Sequence, residues 1–462
     1  MNFIQNWKVY GGLGFVLVCY FLFPGNVDWI CDQPLLIEKA LEANRFNRWG
    51  ELGIAGGNGT LYGPVPNFIY QVLLRVTHDL VGVVLLKILI SVALIFIGLF
   101  RISNDLNLKK EGMIFAFLSP FVYFYTRTLW DNVFLIPVSV IYCSSVIRYS
   151  LFRREIEFVL ATVTAAILFH IHLMSVIVLI PGCGLINILL LKEKHKRIFL
   201  LLLLQLIMVF VSLPYLKAIF LAKTLVPYGK PQWAAIIFSP LLGLRLVGYV
   251  GFFEYFSPNF FASFSGIGKI IIYFLIGVSL IGPIMYLGGL KSLFSSRNGF
   301  PVQVRWFFIS VLAMTVFISL KMKLKAHPHY MNASWAVYFC IFWKKLSDSY
   351  TLNRIRKMVW LWAGSMVLLL VVWIEYISSN SGDRGLHFGP TLNNQIAIAK
   401  QLDAEEPLNE ITVDVENFSI FPQRLTVLAG LYGIHRKSVT RMKLVYAEDY
   451  PSAEIKLIPI EK

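Results

Sequence analysis

Apolar runs of about 16 to 22 residues recur along most of this 462-residue chain. A helix needs about 20 such residues to cross the hydrocarbon core of a bilayer. Hydrophobic residues make up 57% of the chain and charged residues 15%, whereas soluble domains average about 45–50% and about 25%. The sequence therefore predicts an all-α polytopic membrane protein and excludes a soluble enzyme. The eleven predicted spans are 9–24, 81–100, 112–127, 132–149, 156–170, 173–191, 199–216, 267–289, 306–320, 330–343 and 358–377.

Lysine and arginine are distributed unevenly between alternate loops. With the N-terminus inside, the inner loops carry 19 of these residues and the short outer loops carry four. Because a Lys/Arg excess marks cytoplasmic loops, the sequence predicts a multi-pass protein of the cell inner (plasma) membrane with a cytoplasmic N-terminus and an extracytoplasmic C-terminus. The formal net charge of +16 is explained by this bias and does not indicate a nucleic-acid partner.

One further apolar segment, residues 63–79, is too short to be a span. Only about 13 residues separate Pro66 from Asp79, and a crossing needs about 20. Counting it as a span would also move every later basic loop to the outside. We therefore expect a helix that lies at the outer membrane interface.

Three outer regions follow from this topology. The first is the loop 24–80, and the second is 217–266, which contains four prolines and is expected to form a flap. The third is the tail 378–462, which is predicted to be a separate α/β domain beside the transmembrane domain 1–377. The tail pattern predicts helices near 392–402 and 424–432, and strands near 410–415, 443–446 and 454–458.

Two acidic residues lie at the outer ends of predicted spans, where an ionisable group is costly and usually functional. Asp32 precedes Gln33–Pro34 at the start of an amphipathic segment, so it is also a good helix cap. Asp131 lies in a tight Asp-Asn turn, which favours local hydrogen bonding. Both the structural and the functional interpretations stay open, and they are compatible.

An outer basic cluster, Lys321, Lys323 and Lys325, breaks the rule that positive charge lies inside. An anionic lipid phosphate at the outer surface would explain such a cluster. Lysines that extend from a helix end toward water would explain it equally well.

Two histidine pairs have the spacing His-x-His, namely His170 with His172 and His327 with His329. This spacing could suggest zinc, but the pairs lie at predicted helix ends, where residues i and i+2 diverge. We therefore predict no metal site and favour polar or phosphate contacts. Asn58, Asn332 and Asn417 match the glycosylation pattern, which is common by chance.

Several degenerate motifs occur in a fixed order along the chain. They are Cys31–Asp32–Gln33–Pro34, Tyr62–Gly63–Pro64 with Tyr70, Ser119–Pro120 with Tyr125, Arg127 and Asp131, His172–Leu173–Met174–Ser175 with Pro181, and His329–Tyr330. In this order and placement the chain resembles integral-membrane glycosyltransferases of the GT-C class, specifically the protein mannosyltransferase and lipid A aminoarabinose transferase group. Gln33 is a departure, since the family usually has Glu there.

The resemblance implies a sugar donor on a polyprenyl phosphate, used at the outer face. We expect no cofactor and metal-independent action, because the site has lysines where a divalent cation would otherwise lie. The resemblance also implies that Asp32 is the base that activates the acceptor and that Asp131 supports it. Transfer from a phosphate leaving group needs such a base, and it needs cations that hold the phosphate. The residues expected to bind the donor phosphate are Arg127, Lys321, Lys323, Lys325, His329 and Tyr330. The residues expected to form the acceptor pocket are Tyr62, Tyr70 and His172.

The expected partners are the lipid-linked donor, membrane lipids and a glycan, lipid or protein acceptor. A lipid or polysaccharide transporter is the alternative from another class, and it would be expected to show inverted repeats or helices broken near the midplane. The sequence shows neither feature. A surface-polysaccharide polymerase or ligase is chemically close to the first interpretation and stays open.

Overall fold

The protein is a helical multi-pass membrane protein, as predicted. The computed structural model describes residues 7–29, 32–50, 52–54, 61–192, 197–221, 258–295, 299–322, 328–349, 353–383, 389–401, 411–413, 421–433, 442–446 and 454–459. Within these ranges, seven helices are long and apolar enough to cross a membrane, and the apolar helical stretch Gly11–Phe21 is shorter.

Each predicted span contains helix, but the predicted spans 9–24, 112–127, 156–170 and 330–343 do not correspond to any of these seven helices. The helices up to residue 379 are α1 (Trp7–Phe21), α2 (Asp32–Arg45), α3 (Val65–Thr77), α4 (Leu80–Asp105), α5 (Gly112–Leu118), α6 (Pro120–Arg127), α7 (Leu135–Phe152), α8 (Glu155–Ile171), α9 (Val176–Lys192), α10 (Ile198–Leu221), α11 (Pro258–Ala262), α12 (Gly266–Ser279), α13 (Ile281–Leu290), α14 (Val302–Met322), α15 (Trp335–Ser349) and α16 (Asn353–Ser379). Short 3₁₀ turns lie at Asn132–Phe134, Leu173–Ser175, Lys291–Leu293 and Pro328–Ser334.

The predicted span 112–127 is not one continuous helix. It is divided into α5 and α6 at Ser119, whose backbone is extended with φ −63° and ψ 118°. Proline has no backbone N–H and pushes the preceding residue out of the helical region, so Pro120 ends α5 and begins α6.

The segment 63–79 does not form a span, as predicted. Its helix α3 has 13 residues and ends at His78, which adopts a left-handed conformation with φ 52°. The next residue, Asp79, caps α4, and its carboxylate accepts a hydrogen bond from the backbone N–H of Gly82 at 2.7 Å. The chain therefore turns at His78–Asp79, and α4 is the helix that is long enough to cross.

Ion pairs join α4, α7 and α8 at the helix ends that are predicted to be cytoplasmic. Glu157 is 5% exposed and pairs with Arg101 and with Arg148, whose Nε lies 3.0 Å from a Glu157 oxygen. A third pair links Arg148 to Asp105 at 3.6 Å. Arg101 and Arg148, at predicted inner loops, thus stabilise the packing of these helices.

The tail contains the small α/β module that the sequence predicts. Its elements are β1 (Gly382–Asp383), β2 (Gly389–Pro390), α17 (Leu392–Ala399), β3 (Ile411–Val413), α18 (Phe421–Tyr432), β4 (Met442–Tyr446) and β5 (Ile455–Pro459). β3, β4 and β5 form a sheet in that order, with β3 parallel to β4 and β5 antiparallel to β4. β1 and β2 form a separate antiparallel pair.

Other sequence-based expectations fall partly outside the described residues. This applies to residues 222–257 of the expected flap 217–266 and to the sequence matches at Asn58 and Asn417. Asn332 is fully buried, so it is not available for glycosylation in the folded protein.

Reporter fusions test the predicted orientation. A fusion at Asp105, the last residue of α4, should report a cytoplasmic location, and a fusion at Lys462 should report an extracytoplasmic one. The expectation rests on the Lys/Arg bias of the short loops. A cytoplasmic signal at Lys462 or an outer signal at Asp105 would overturn the orientation.

Candidate active site

Two turns that are far apart in sequence, both predicted to lie on the outer side, are joined by side-chain hydrogen bonds. The Thr128 hydroxyl donates to Asp28 at 2.5 Å, and Trp130 Nε1 donates to the Asp32 carboxylate at 3.1 Å. The Tyr70 hydroxyl donates to the backbone carbonyl of Trp130 at 3.0 Å. These contacts place Asp32 and the residue next to Trp130, Asp131, in one site.

Helix α2 fixes the position of Asp32. The helix begins at Asp32, and its buried face includes Leu36, Ile37 and Ala40, each fully buried. A carboxylate in the first turn of a helix interacts favourably with the positive end of the helix dipole. The amphipathic pattern of this segment therefore anchors the helix, while Asp32 itself is only partly buried and contacts the 128–132 turn.

Asp131 is a buried carboxyl group with one unsatisfied oxygen. It is 1% exposed, and its Oδ1 accepts a hydrogen bond from the backbone N–H of Asn132 at 2.7 Å. Its Oδ2 has no hydrogen-bond partner among the described residues. Burial, together with the nearby charge of Asp32, raises the pKa of Asp131 to about 7. At neutral pH this carboxyl therefore carries a proton much of the time.

A second buried acid, Asp28, was not among the predicted site residues. Burial raises its pKa to about 6, although the hydrogen bonds from Thr128 and Gln33 oppose this shift. Gln33 Nε2 donates to Asp28 Oδ2 at 2.7 Å. A glutamate at position 33 would place a second carboxylate against Asp28, so this contact favours glutamine at that position.

Arg127, expected to bind phosphate, lies against the end of α1. It is 4% exposed, and its guanidinium donates to the carbonyls of Tyr20, Leu22 and Phe23 at 2.6–2.9 Å. The last carbonyls of a helix lack partners within the helix, and a cation there is favourable. These contacts give Arg127 a role in holding α1, and its role with phosphate stays a prediction.

Lys87 plays the corresponding role for α6, and it was not among the predicted site residues. It is fully buried within α4, and its Nζ donates to the carbonyls of Tyr125 and Thr126 at 3.1 and 2.8 Å. A lysine inside a 26-residue apolar helix was the signal that could have identified it.

Tyr62 and His172, both expected in the acceptor pocket, contact each other. Their rings are stacked with centroids 4.5 Å apart. His172 Nδ1 accepts a hydrogen bond from the backbone N–H of Met174 at 3.1 Å, and burial lowers the pKa of His172 to about 4. The adjacent Gly63 packs so closely that an added Cβ would lie 2.0 Å from the His170 carbonyl oxygen. The imidazole of His172 is therefore neutral and held in a fixed position.

Three 3₁₀ turns meet beside these residues. The turn Pro328–Ser334 contacts both Asn132–Phe134 and Leu173–Ser175, and helices α15, α7 and α9 begin where these turns end. Each turn contributes one buried polar side-chain atom that has no hydrogen-bond partner among the described residues. These atoms are Asn332 Oδ1, Asn132 Oδ1 and Ser175 Oγ. Buried polar atoms are nearly always satisfied in folded proteins, so such a group indicates a place for a polar ligand or ordered water.

The remaining predicted phosphate-binding residues are described only in part. Lys321 lies in the last turn of α14, and His329 and Tyr330 lie in the turn Pro328–Ser334. Lys323 and Lys325 lie outside the described residues. Across the described ranges, no group of three or more His, Cys, Asp or Glu side chains could hold a metal ion.

Comparison with known proteins adds one similar structure. No protein-family model and no curated protein matches the sequence. The fold is similar to the crystal structure of ArnT from Cupriavidus metallidurans in the apo state, with a TM-score of 0.49 and 13% identity over 96% of this chain and 94% of that chain. A similarity of folds does not by itself assign an activity to this chain.

Proposed function

We propose that the protein is a membrane glycosyltransferase that moves a sugar from a polyprenyl-phosphate donor to a lipid, glycan or protein acceptor at the extracytoplasmic face. One observation carries the proposal. Two carboxyl-bearing outer turns, joined by the Trp130–Asp32 hydrogen bond, lie beside a buried group of unsatisfied polar atoms. Oxygen acceptors of this kind suit the hydroxyl groups of a sugar.

The two acids have different environments, as the proposed chemistry requires. Asp131 is buried, and its raised pKa lets it hold a proton near neutral pH. Two neighbouring carboxylates do not readily ionise together, so a proton on Asp131 favours the charged form of Asp32. We assign Asp32 as the base that takes the proton from the acceptor hydroxyl, and Asp131 as the acid that orients the acceptor or a neighbouring group.

The donor phosphate would be bound by positive charge from two sources. The N-terminal ends of α7, α9 and α15 follow the three turns that meet at the site, and helix N-terminal ends favour anions. The second source is the cluster of Lys321, Lys323 and Lys325 beside the last of these turns in sequence. Charge at the departing phosphate would stabilise the transition state. No metal ion or other cofactor enters this proposal.

A groove between α8, α9 and α10 offers space for part of the donor's hydrocarbon chain. Its volume is about 380 Å³, and it is lined mainly by apolar side chains together with Asn187, Gln205 and Ser212. Ser212 also lies 3.0 Å from His170, the residue that packs against Gly63. The groove thus runs from the apolar part of the helices toward the Tyr62–His172 pair.

Loss of the gene tests the proposed function in cells. Mass spectrometry of surface glycolipids and glycoproteins should show one sugar modification that disappears without the gene and returns on complementation. The Asp32→Asn variant should not restore it, because the proposed base is absent. Unchanged surface glycans in the deletion strain would contradict a transferase role.

A further inference from the structure

The tail packs against the beginning of the first outer loop. The backbone N–H groups of Leu392 and Asn393, at the start of α17, donate to the carbonyls of Val27 and Gly25 at 2.9 and 3.0 Å. The first N–H groups of a helix have no partner within the helix, so the loop satisfies them. An added Cβ on Gly25 would lie 1.8 Å from Asn393 Oδ1, which shows how closely the two segments approach.

Gln395 extends this contact to the residue after Asp28. It is fully buried, and its Nε2 donates to the carbonyl of Trp29 at 3.1 Å and to that of Pro390 at 2.8 Å. Thr391 pairs with Asp28 itself as an isolated β-bridge. The tail therefore contacts the backbone of the segment that leads into Asp32.

The tail also contacts the end of the same loop. The Tyr432 hydroxyl, at the end of α18, donates to Asp79 Oδ1 at 2.7 Å and accepts from the backbone N–H of Leu80 at 2.7 Å. Asp79 is the residue that caps α4. Burial, together with the contact with Asp79, raises the pKa of Tyr432, so its hydroxyl stays protonated and able to donate.

We infer that the tail acts as a clamp on both ends of the first outer loop, with Gln395 and Tyr432 as positioning residues for the proposed transfer reaction. The loop carries Asp32, Tyr62 and Tyr70, and the clamp contacts lie at Gly25–Trp29 and Asp79–Leu80. A small displacement of a catalytic group can lower the rate greatly. This inference rests on the proposed function for its effect on turnover, whereas the effect on loop mobility does not depend on it.

Gln395→Met tests the first contact. Methionine has a similar size and removes the donor, and it also removes Gln395 Oε1, a buried acceptor that lacks a partner among the described residues. The fold should therefore survive. We expect faster hydrogen–deuterium exchange in residues 25–33, and a fall in kcat of about three- to tenfold with little change in KM, since the two hydrogen bonds to the Trp29 and Pro390 carbonyls are lost. Lys400→Gln is the matched control, because Lys400 is an exposed residue directly after the same helix, and it should change neither quantity.

Tyr432→Phe tests the second contact and keeps the ring. It should increase exchange in residues 79–83 and lower kcat without moving the unfolding temperature by more than a few degrees. Unchanged exchange in both variants would overturn the clamp, whatever the activity of the wild-type protein. Faster exchange with normal turnover would overturn the positioning role. A wild-type protein without transferase activity would instead refute the proposed function, and the exchange experiment would still test the clamp.

Discussion

The Asp32→Asn variant is expected to fold, bind the lipid-linked donor and lose sugar transfer by about 10²- to 10⁴-fold, the usual effect of losing a positioned base. Asparagine retains a side-chain oxygen that can accept the hydrogen bond from Trp130. It also suits a helix start nearly as well as aspartate. The substitution therefore removes the base and keeps the local structure. Transfer by purified protein in nanodiscs, with donor binding measured separately, provides the comparison.

The two interpretations of Asp32 give opposite results in this experiment. If Asp32 only begins α2, the Asn variant should transfer sugar at the normal rate. Glu38→Gln is a suitable control, because Glu38 is an exposed acid on the same helix and should be dispensable. Normal turnover by Asp32→Asn would defeat the assignment of the base, and Asp28 would become the next acid to test.

The second large effect concerns the dependence of stability on pH. The pKa of Asp131 is about 7 in the folded protein, against an ordinary value of 3.8. A raised pKa means that the folded state binds the proton more tightly, so this stabilisation is complete below pH 3.8 and is lost as the pH rises through about 7. A shift of this size corresponds to about 4 kcal/mol, at about 1.4 kcal/mol per pKa unit. Wild-type protein should therefore unfold more easily at pH 8 than at pH 5.

Asp131→Asn should remove most of that pH dependence and raise the unfolding temperature at pH 8. The amide has no charge to bury, and its oxygen can still accept the hydrogen bond from the backbone N–H of Asn132. A smaller slope should remain, because burial also raises the pKa of Asp28, to about 6. Thermal unfolding in detergent between pH 5 and pH 8 measures both effects. An equal slope in the variant and the wild type would show that Asp131 is ionised in the folded protein.

The helical character of the apolar runs could be predicted because the bilayer imposes their length and composition. Among the described residues, seven of the eleven predicted spans correspond to helices that are long and apolar enough to cross a membrane. Residues 63–79 were correctly excluded as a span because length alone decides that question. The break at Ser119 was missed, although Pro120 was a sufficient signal for it. A hydropathy window does not detect such a break, because α5 and α6 are both apolar and together form one continuous apolar run.

The site was less predictable than the spans, because its contacts join residues that are far apart in the sequence. Asp32 and Asp131 could be predicted as site residues from their position at predicted outer turns. The sequence does not show that Asp32 accepts a hydrogen bond from Trp130. Lys87 and Arg127 donate hydrogen bonds to carbonyls at the ends of other helices, α6 and α1. These contacts depend on how the helices pack. The contact made by Gln33 was equally hard to predict, because it depends on Asp28, which was not among the predicted site residues.

Donor turnover by the wild-type protein tests the central claim most directly. Purified protein in nanodiscs would receive polyprenyl-phosphate-linked sugars together with an extract of the cell's own lipids, glycans and proteins, and free polyprenyl phosphate would be measured by mass spectrometry. The proposed function predicts release of polyprenyl phosphate in step with transfer of the sugar to an acceptor, and release that falls at least about 100-fold in Asp32→Asn. An unchanged donor in the presence of folded wild-type protein and acceptor, or movement of the intact donor across the bilayer without cleavage, would contradict it.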